Sequence, residues 1–142
     1  MRRSCAARGG LCAIMLMAAC VPAQSPAVRD ATPGSPVTVT ADRVITAAFQ
    51  VDYPAGWRVI TSPAGEPPFV ILAAPDNCTV VQVSVSVEPP PPAIDAACAS
   101  SPITATQSRF IGQTAITISG SAADPAALDS VFALLLETLT PS

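Results

Sequence analysis

The chain has 142 residues, of which 50% are hydrophobic and 12% are charged, and its formal net charge is −3. It contains neither His nor Lys, so a Ser–His–Asp or Cys–His catalytic relay and a histidine metal site are both excluded. Without its N-terminal leader the chain would keep four arginines against ten carboxylates, a net charge of about −6. Such a surface repels phosphate backbones, so no nucleic-acid partner is expected.

Residues 1–19 are predicted to form an export signal. Arg2, Arg3 and Arg8 supply its positive N-terminal region, and the apolar run Leu11–Ala19 follows them. This run is far too short to cross a bilayer as a helix. The chain is therefore expected to leave the cytoplasm by the general export route.

The end of this signal, Ala18-Ala19-Cys20, resembles a bacterial lipobox. The resemblance implies that the Cys20 thiol receives diacylglycerol and that cleavage makes Cys20 the new amino terminus. The protein would then be extracytoplasmic and anchored to the cell membrane by its lipid. The alternative is an ordinary cleavable signal, cut after Ala19 or Ala23, which would give a secreted protein.

Residues 20–43 are predicted to be a tether that holds the domain away from the membrane. The segment is rich in Pro, Ala, Ser, Thr and Asp, and its prolines interrupt any regular element. The alternating run Val37-Thr38-Val39-Thr40 near its end is a candidate edge strand. The remaining residues, 44–142, are predicted to form a single α+β domain with one core.

The stretch Phe49–Ile60 is predicted to form the hairpin on which this domain is built. Phe49, Val51 and Tyr53 alternate with polar residues, and Trp57 opens a second strand after a Pro-Ala-Gly turn. The turn would bring Tyr53 and Trp57 close together. The two rings are interpreted as packing aromatics, and the alternative is a surface on which a ligand stacks.

Four further strands follow. Phe69–Ala74 is a continuous apolar run, which suits a central strand. Thr79–Val87 alternates valines with polar residues and is the clearest strand of the chain. The run Pro89–Pro92 is interpreted as a stiff crossover, with a docking peptide as the alternative. The last two strands are Ile103–Phe110 and Ala115–Gly120.

The final element is predicted to be a helix that lies across the sheet. Asp124 is a good N-cap, and Pro125 suits the first helical position. The apolar residues that follow have helical spacing and make one stripe, namely Leu128, Phe132, Leu135, Leu136 and Leu139.

Of the five cysteines, Cys5 and Cys12 leave with the signal, and Cys20 is the proposed lipid site. Cys78 and Cys98 remain, and an even pair in an exported domain predicts a disulfide. The bridge would fix the proline crossover and contribute roughly 3 kcal/mol. A redox-active pair is the alternative, but the spacing is not CxxC and no His or Lys is present to lower a thiol pKa.

The sequence assigns no catalytic residue, metal ligand or cofactor. The carboxylates are scattered, mostly beside turns or caps, and no Gly-rich phosphate loop follows a strand. A calcium site built from loop carboxylates stays open as an alternative, although no EF-hand-like spacing supports it. The chain is therefore not expected to be an enzyme.

The pattern Phe49-x-Val51-x-Tyr53-Pro54-x-Gly56-Trp57 resembles the opening hairpin of PsbP-like domains. The later Gly112-x-x-Ala115 hairpin and the closing helix that ends at Leu139-Thr140 agree in order. The resemblance implies an α/β/α sandwich with a central antiparallel sheet and a C-terminal helix packed on it. It also implies an exported, often lipid-anchored, non-enzymatic protein that binds or helps to assemble membrane complexes.

Two functions from different classes are therefore expected. The first is an extracytoplasmic, lipid-anchored binding or assembly module that contacts a membrane-associated protein partner. The alternative is a carrier of a small apolar ligand, held in a cleft between the sheet and the Leu128–Leu139 helix. The metal-binding histidines of some photosynthetic PsbP-like proteins have no counterpart here, so photosystem function is not inferred.

Overall fold

The computed structural model describes residues 37–63, 66–85 and 89–142. The predicted signal peptide, the lipidation of Cys20 and most of the tether lie outside these residues. The described residues form eight β-strands and one C-terminal helix. The predicted α+β class is confirmed.

The strands divide into two antiparallel sheets. The small sheet consists of β1 (Thr38–Val39), β2 (Arg43–Ile45) and β3 (Gln50–Asp52). The large sheet consists of β4 (Arg58–Thr61), β5 (Phe69–Ala73), β6 (Thr79–Ser84), β7 (Ile103–Ile111) and β8 (Thr114–Ala122). Their spatial orders are β1-β2-β3 and β4-β5-β6-β8-β7. The candidate edge strand at the end of the tether is therefore present as β1.

The predicted hairpin over Phe49–Ile60 is wrong. The turn itself forms, with the Trp57 amide donating to the Pro54 carbonyl and Gly56 at a φ of 81°. However, β3 pairs with β2 in the small sheet, whereas β4 pairs with β5 in the large sheet. The turn therefore connects two sheets instead of two neighbouring strands.

The side chain of Thr46 explains why β3 pairs with the preceding strand, β2, and not with the following strand, β4. Its hydroxyl donates to the Phe49 carbonyl at 2.9 Å and accepts from the amides of Ala48 and Phe49 at 3.2 and 3.0 Å. These bonds close a tight turn between β2 and β3. Because the Thr46 hydroxyl finds its donor and acceptor partners within the turn, the side chain is buried without an unsatisfied polar group. The sequence pattern predicted that β3 would pair with β4, but β3 forms a hairpin with β2 instead.

The other four predicted strands are present, although β6 ends at Ser84, and residues 86–87 of the predicted strand Thr79–Val87 lie outside the described residues. β5 lies between β4 and β6, and the β5–β6 hairpin turns at Asn77, whose φ is 57°. β7 and β8 pair over their full length, from Ile103 opposite Ala122 to Ile111 opposite Thr114. Because β8 separates β6 from β7, the chain between them crosses the sheet.

The C-terminal helix α1 spans Pro125–Thr138, as its cap signals predict. The Asp124 side chain accepts a hydrogen bond from the Ala126 amide at 3.0 Å. Leu128, Phe132 and Leu135 from the predicted stripe are buried, and so is Val131, which the stripe did not include. After the helix, Thr140 pairs with Gln50, so the C-terminus continues the edge of the small sheet.

One hydrophobic core joins both sheets and the helix. Side chains alternate along a strand, and the pairing of Leu72 with Val81 and of Val81 with Gly120 places these three residues on one face of the large sheet. An added Cβ at Gly120 would lie 2.8 Å from Phe132 and 2.9 Å from Leu128. This face is therefore the one that α1 covers.

The opposite face of the large sheet is covered in part by the crossover, not by a helix. Pro90–Asp95 borders the same cavity as Ile71, Val80 and Gln82, which alternate with the core residues of β5 and β6. In the described residues, then, only one helical layer flanks the sheet, where the α/β/α expectation has two.

Candidate functional site

The two rings, expected to pack in the core with a ligand-stacking surface as the alternative, lie at the core. Tyr53 is only 7% exposed, and its hydroxyl donates to the Thr40 carbonyl. Burial raises the pKa of the Tyr53 phenol, with a smaller contribution from Asp42. Trp57 is half-buried and packs against the same core. Both placements favour the packing interpretation of these aromatics.

The Cys78–Cys98 disulfide is present, with the two Cα atoms 5.3 Å apart. It joins the turn before β6 to the far end of the crossover. Beside it the Asp95 amide donates to the Asn77 carbonyl at 3.2 Å, and the Cys98 amide donates to the Asp95 carbonyl at 2.9 Å. The crossover is thus fixed to the β5–β6 turn by one covalent bond and by backbone hydrogen bonding.

We call residues Pro89–Asp95 the proline connector. Pro has a fixed φ and no N–H, so a run of four prolines, Pro89–Pro92, is stiff and extended. One end of the connector is tied down next to the disulfide. A stiff segment held in this way lies across the sheet without collapsing onto it, and this leaves space beside it.

That space is a groove of about 660 Å³ between the proline connector and the open face of the large sheet. Its floor is apolar and comes from three strands, namely Ile60, Ile71, Ala73 and Val80. Its wall is Pro90–Ile94 of the connector. Strands β4 and β5 carry apolar side chains on both faces of the sheet. Ile60 and Ile71 therefore lie on the groove side, whereas Val59 and Leu72 lie in the core.

The groove is polar at one end. Arg58, Asn77 and Asp95 line this end, and the Arg58 guanidinium donates to the Asn77 side-chain oxygen. Asn77 adopts a left-handed backbone conformation, which Asn tolerates better than most residues. The groove therefore combines an apolar floor with donors and acceptors at its end, as ligand and peptide sites commonly do.

A smaller cavity of about 210 Å³ lies towards the other end of the connector. It shares Gln82 with the groove, and Ser84, Phe69 and Pro89 also line it. The Ser84 hydroxyl is buried and has no hydrogen-bond partner among the described residues, and the same holds for Ser119. The Ser84 hydroxyl, which lines the cavity, is a polar group that a bound molecule or water would satisfy.

The cleft expected between the sheet and the Leu128–Leu139 helix is filled where Gly120 lies. The side chains of Phe132 and Leu128 approach the Gly120 backbone so closely that no Cβ fits without a shift. The same helix residues belong to the continuous core. An apolar ligand would therefore find space on the other face of the sheet, beside the connector.

Within the described residues, no group of three or more Cys, Asp or Glu side chains is placed to hold a metal ion. In the same part of the chain, no helix has both the length and the apolar character needed to cross a membrane. Comparison of the sequence with protein-family models and with curated proteins, and of the fold with solved structures, gave no match. The function is therefore inferred from the groove and its surroundings.

Sequence reasoning missed the groove, although two signals pointed towards it. Ile60 and Ile71 are apolar at positions that face away from the core, which a one-sided sheet would not require. The four prolines mark a stiff segment near the same face. Neither signal predicts that the connector lies over β4, β5 and β6, because its position depends on the disulfide and on the order of the strands in the sheet.

Proposed function

We propose that this protein is a lipid-anchored, extracytoplasmic binding module without catalytic activity, and that its groove contacts a membrane-associated protein partner. The observation that carries the proposal is the groove itself, an apolar floor beside a stiff wall. Ile60 is 47% exposed at its outer margin and is continuous with the apolar floor, and a contiguous exposed apolar patch is typical of a contact site for a partner.

An extended segment of the partner suits this groove better than a flat surface does. The floor is crossed by the four-residue edge strand β4, and the outer side of an edge strand offers backbone hydrogen bonds to an added chain. Apolar side chains of that segment would contact Ile60 and Ile71. Arg58 and Asn77 would bind polar groups at the end.

The disulfide supports the location, because such bonds persist in oxidising compartments outside the cytoplasm. The lipid on Cys20 belongs to the same proposal, and so does the resemblance to PsbP-like domains, although the described residues supply one helical layer and not the two of an α/β/α sandwich. The lipid would keep the groove near the membrane, at a distance set by the tether. The antiparallel sheet and the C-terminal helix support only the coarser, α+β part of that resemblance.

Site-specific photo-crosslinking in membranes tests the proposal. A photoreactive residue at position 93, which lines the groove on the connector side, is expected to capture one membrane-associated protein. Adding Ile60→Glu to the same chain is expected to lower recovery of that protein at least about tenfold, since it places a charge in an apolar contact. The matched control is Ala133→Glu, which adds the same charge at an exposed position of α1. Equal recovery from both variants would contradict the groove as the contact site.

A small apolar ligand is the second candidate, and the size of the groove favours it. About 660 Å³ falls within the range of small-molecule sites, roughly 300–1,000 Å³. Native mass spectrometry of the gently extracted protein distinguishes the two functions. A stoichiometric extra mass that Ile60→Glu removes would indicate a carrier, whereas a specific cross-linked protein and no added mass would indicate the binding module.

A further inference from the structure

The far edge of the large sheet is formed by β7, which has a neighbouring strand on one side only. All nine of its residues pair with β8, and no other described strand lies on its outer side. Most of its side chains are exposed. Within the described part of the chain, the outer row of N–H and C=O groups along this strand therefore has no partner strand.

Edge strands of monomeric proteins usually carry a feature that blocks pairing, such as a Pro, a bulge or an outward Lys. β7 has none of these, since its sequence contains no Pro and its register with β8 is continuous. Its one charged residue, Arg109, donates back to the Leu136 carbonyl of α1. Phe110, 73% exposed, and Ile103, 42% exposed, lie on this strand.

The hairpin turn fixes which backbone groups of β7 point outward. Ile111 lies opposite Thr114 and closes a two-residue loop, in which Gly112 has a φ of 59°, as the first position of a type II′ turn requires. The closing pair of such a hairpin exchanges both of its hydrogen bonds across the ladder. Alternate residues from Phe110 back to Thr104 therefore direct their N–H and C=O groups away from β8.

We propose that β7 pairs antiparallel with β7 of a second copy of this chain, about a two-fold axis at Gln107. The strand is self-complementary in that register. Thr104 faces Phe110 and Thr106 faces Ser108, and all four present outward backbone groups, so each pair exchanges hydrogen bonds. Ile103 faces Ile111 at both ends, and Arg109 faces Ala105. No like charges meet, and all nine residues find a partner.

This pairing stops at two copies, because each copy uses its β7 edge and neither β7 edge stays available for a third copy. The two large sheets become one continuous sheet. The grooves lie at the opposite edge, beside β4, and stay open in both copies. The proposal therefore does not depend on what the groove binds.

Sedimentation of the full chain carrying Cys20→Ala, over a concentration series, measures the association without interference from a lipid. A monomer–dimer equilibrium is expected. Thr106→Pro removes one outward N–H per copy without affecting the pairing with β8, and is expected to raise the dimer dissociation constant at least about tenfold. Ile60→Glu on the other edge should leave it unchanged. A monomer at every concentration, or a dimer indifferent to Thr106→Pro, overturns the proposal.

A register-specific cross-link gives a second readout that does not depend on the behaviour of a proline variant. Gln107→Cys would place two thiols opposite each other at a Cα separation of about 4.5 Å, which permits a disulfide. Thr104→Cys would place them six residues out of register, roughly 20 Å apart. Oxidation should cross-link the first variant and not the second, above the background of the parent chain. Equal cross-linking of both variants overturns the register.

Discussion

At the scale of single residues, Arg43 and Asp52 form an ion pair across the β2–β3 hairpin. They lie directly opposite each other on β2 and β3, and the guanidinium contacts both carboxylate oxygens, with Nε to Oδ1 at 2.5 Å. The hydrogen bond from Arg43 holds the pKa of the Asp52 carboxyl below its ordinary value, against the opposing effect of desolvation. The pair is exposed, so its contribution to stability is modest.

Because the pKa of Asp52 is lower in the folded state than in the unfolded state, the unfolded chain binds more protons in acid. The stability from this pair is present above a pH of about 4, the unfolded value, and is lost as the pH falls through the folded pKa. Asp52→Asn should therefore reduce the acid dependence of the free energy of unfolding. Urea titrations at a series of pH values measure it, with Asp129→Asn as the control. An unchanged acid slope in Asp52→Asn would contradict the assignment.

Gly120 is the residue whose lack of a side chain lets α1 approach the sheet. Gly120→Ala should destabilise the fold by about 1–3 kcal/mol, since the new methyl meets Phe132, Leu128 and Val81 at 2.8–3.0 Å. Urea unfolding of Gly120→Ala, Phe132→Leu and the double variant measures the cost and the coupling. The double variant should be more stable than additivity predicts. Strict additivity would show that the contact is relieved elsewhere.

At the scale of elements, the proline connector is the part that depends most on a covalent constraint. The disulfide and the hydrogen bonds around Asp95 hold one end of it over the β5–β6 turn. Packing contributes less than these bonds to holding the connector in place. Several connector residues are exposed, and the buried core lies on the other face of the sheet. The shape of the groove is therefore expected to follow the state of this bridge.

The variant Cys78→Ser/Cys98→Ser should lose roughly 3 kcal/mol of stability by loop-closure entropy, and should loosen the connector more than the core. Hydrogen exchange measures both effects. The amides of Asp95 and Cys98 should exchange faster in the variant, while those of β8 should follow the global change in stability. Uniform protection across connector and core would mean that the bridge is not what positions the groove wall.

At the scale of the whole molecule, the described domain has two edges with different expected roles. The β4 edge carries the groove proposed for a partner, and the β7 edge carries the proposed pairing with a second copy. Two copies joined in this way would present two grooves to one membrane, and a second binding event then gains from the first. Without residues 1–19 the chain would carry a net charge of about −6, which opposes association, so higher salt should favour the dimer.

The anchor is tested on the intact protein. Cys20→Ala should shift the protein from the membrane fraction to the soluble exported fraction, because the two acyl chains that would hold it at a bilayer can no longer be attached. Cys12→Ala changes a cysteine within the predicted signal and serves as the control. Fractionation with immunoblotting measures the distribution. Membrane retention of Cys20→Ala equal to that of the parent would refute the lipobox assignment.

The local sequence by itself determined most of the elements. The valine alternation of β6, the apolar run of β5 and the Asp124–Pro125 start of α1 lie where their patterns predict them. Each depends on neighbours within a few residues, such as strand periodicity or a cap that accepts from an amide two residues on. The disulfide was predictable as well, because Cys78 and Cys98 are the pair left once the leader cysteines are set aside.

Only the tertiary structure decided how these elements pair. Tyr53 and Trp57 lie on either side of a real turn, yet the strands that flank them, β3 and β4, belong to different sheets. Thr46 closes a competing hairpin, and β4 pairs with the longer β5. The groove likewise needs residues from β4, β5, β6 and the connector at one place. Such long-range pairings depend on strand order and register, and periodicity within a strand carries no information about its neighbour.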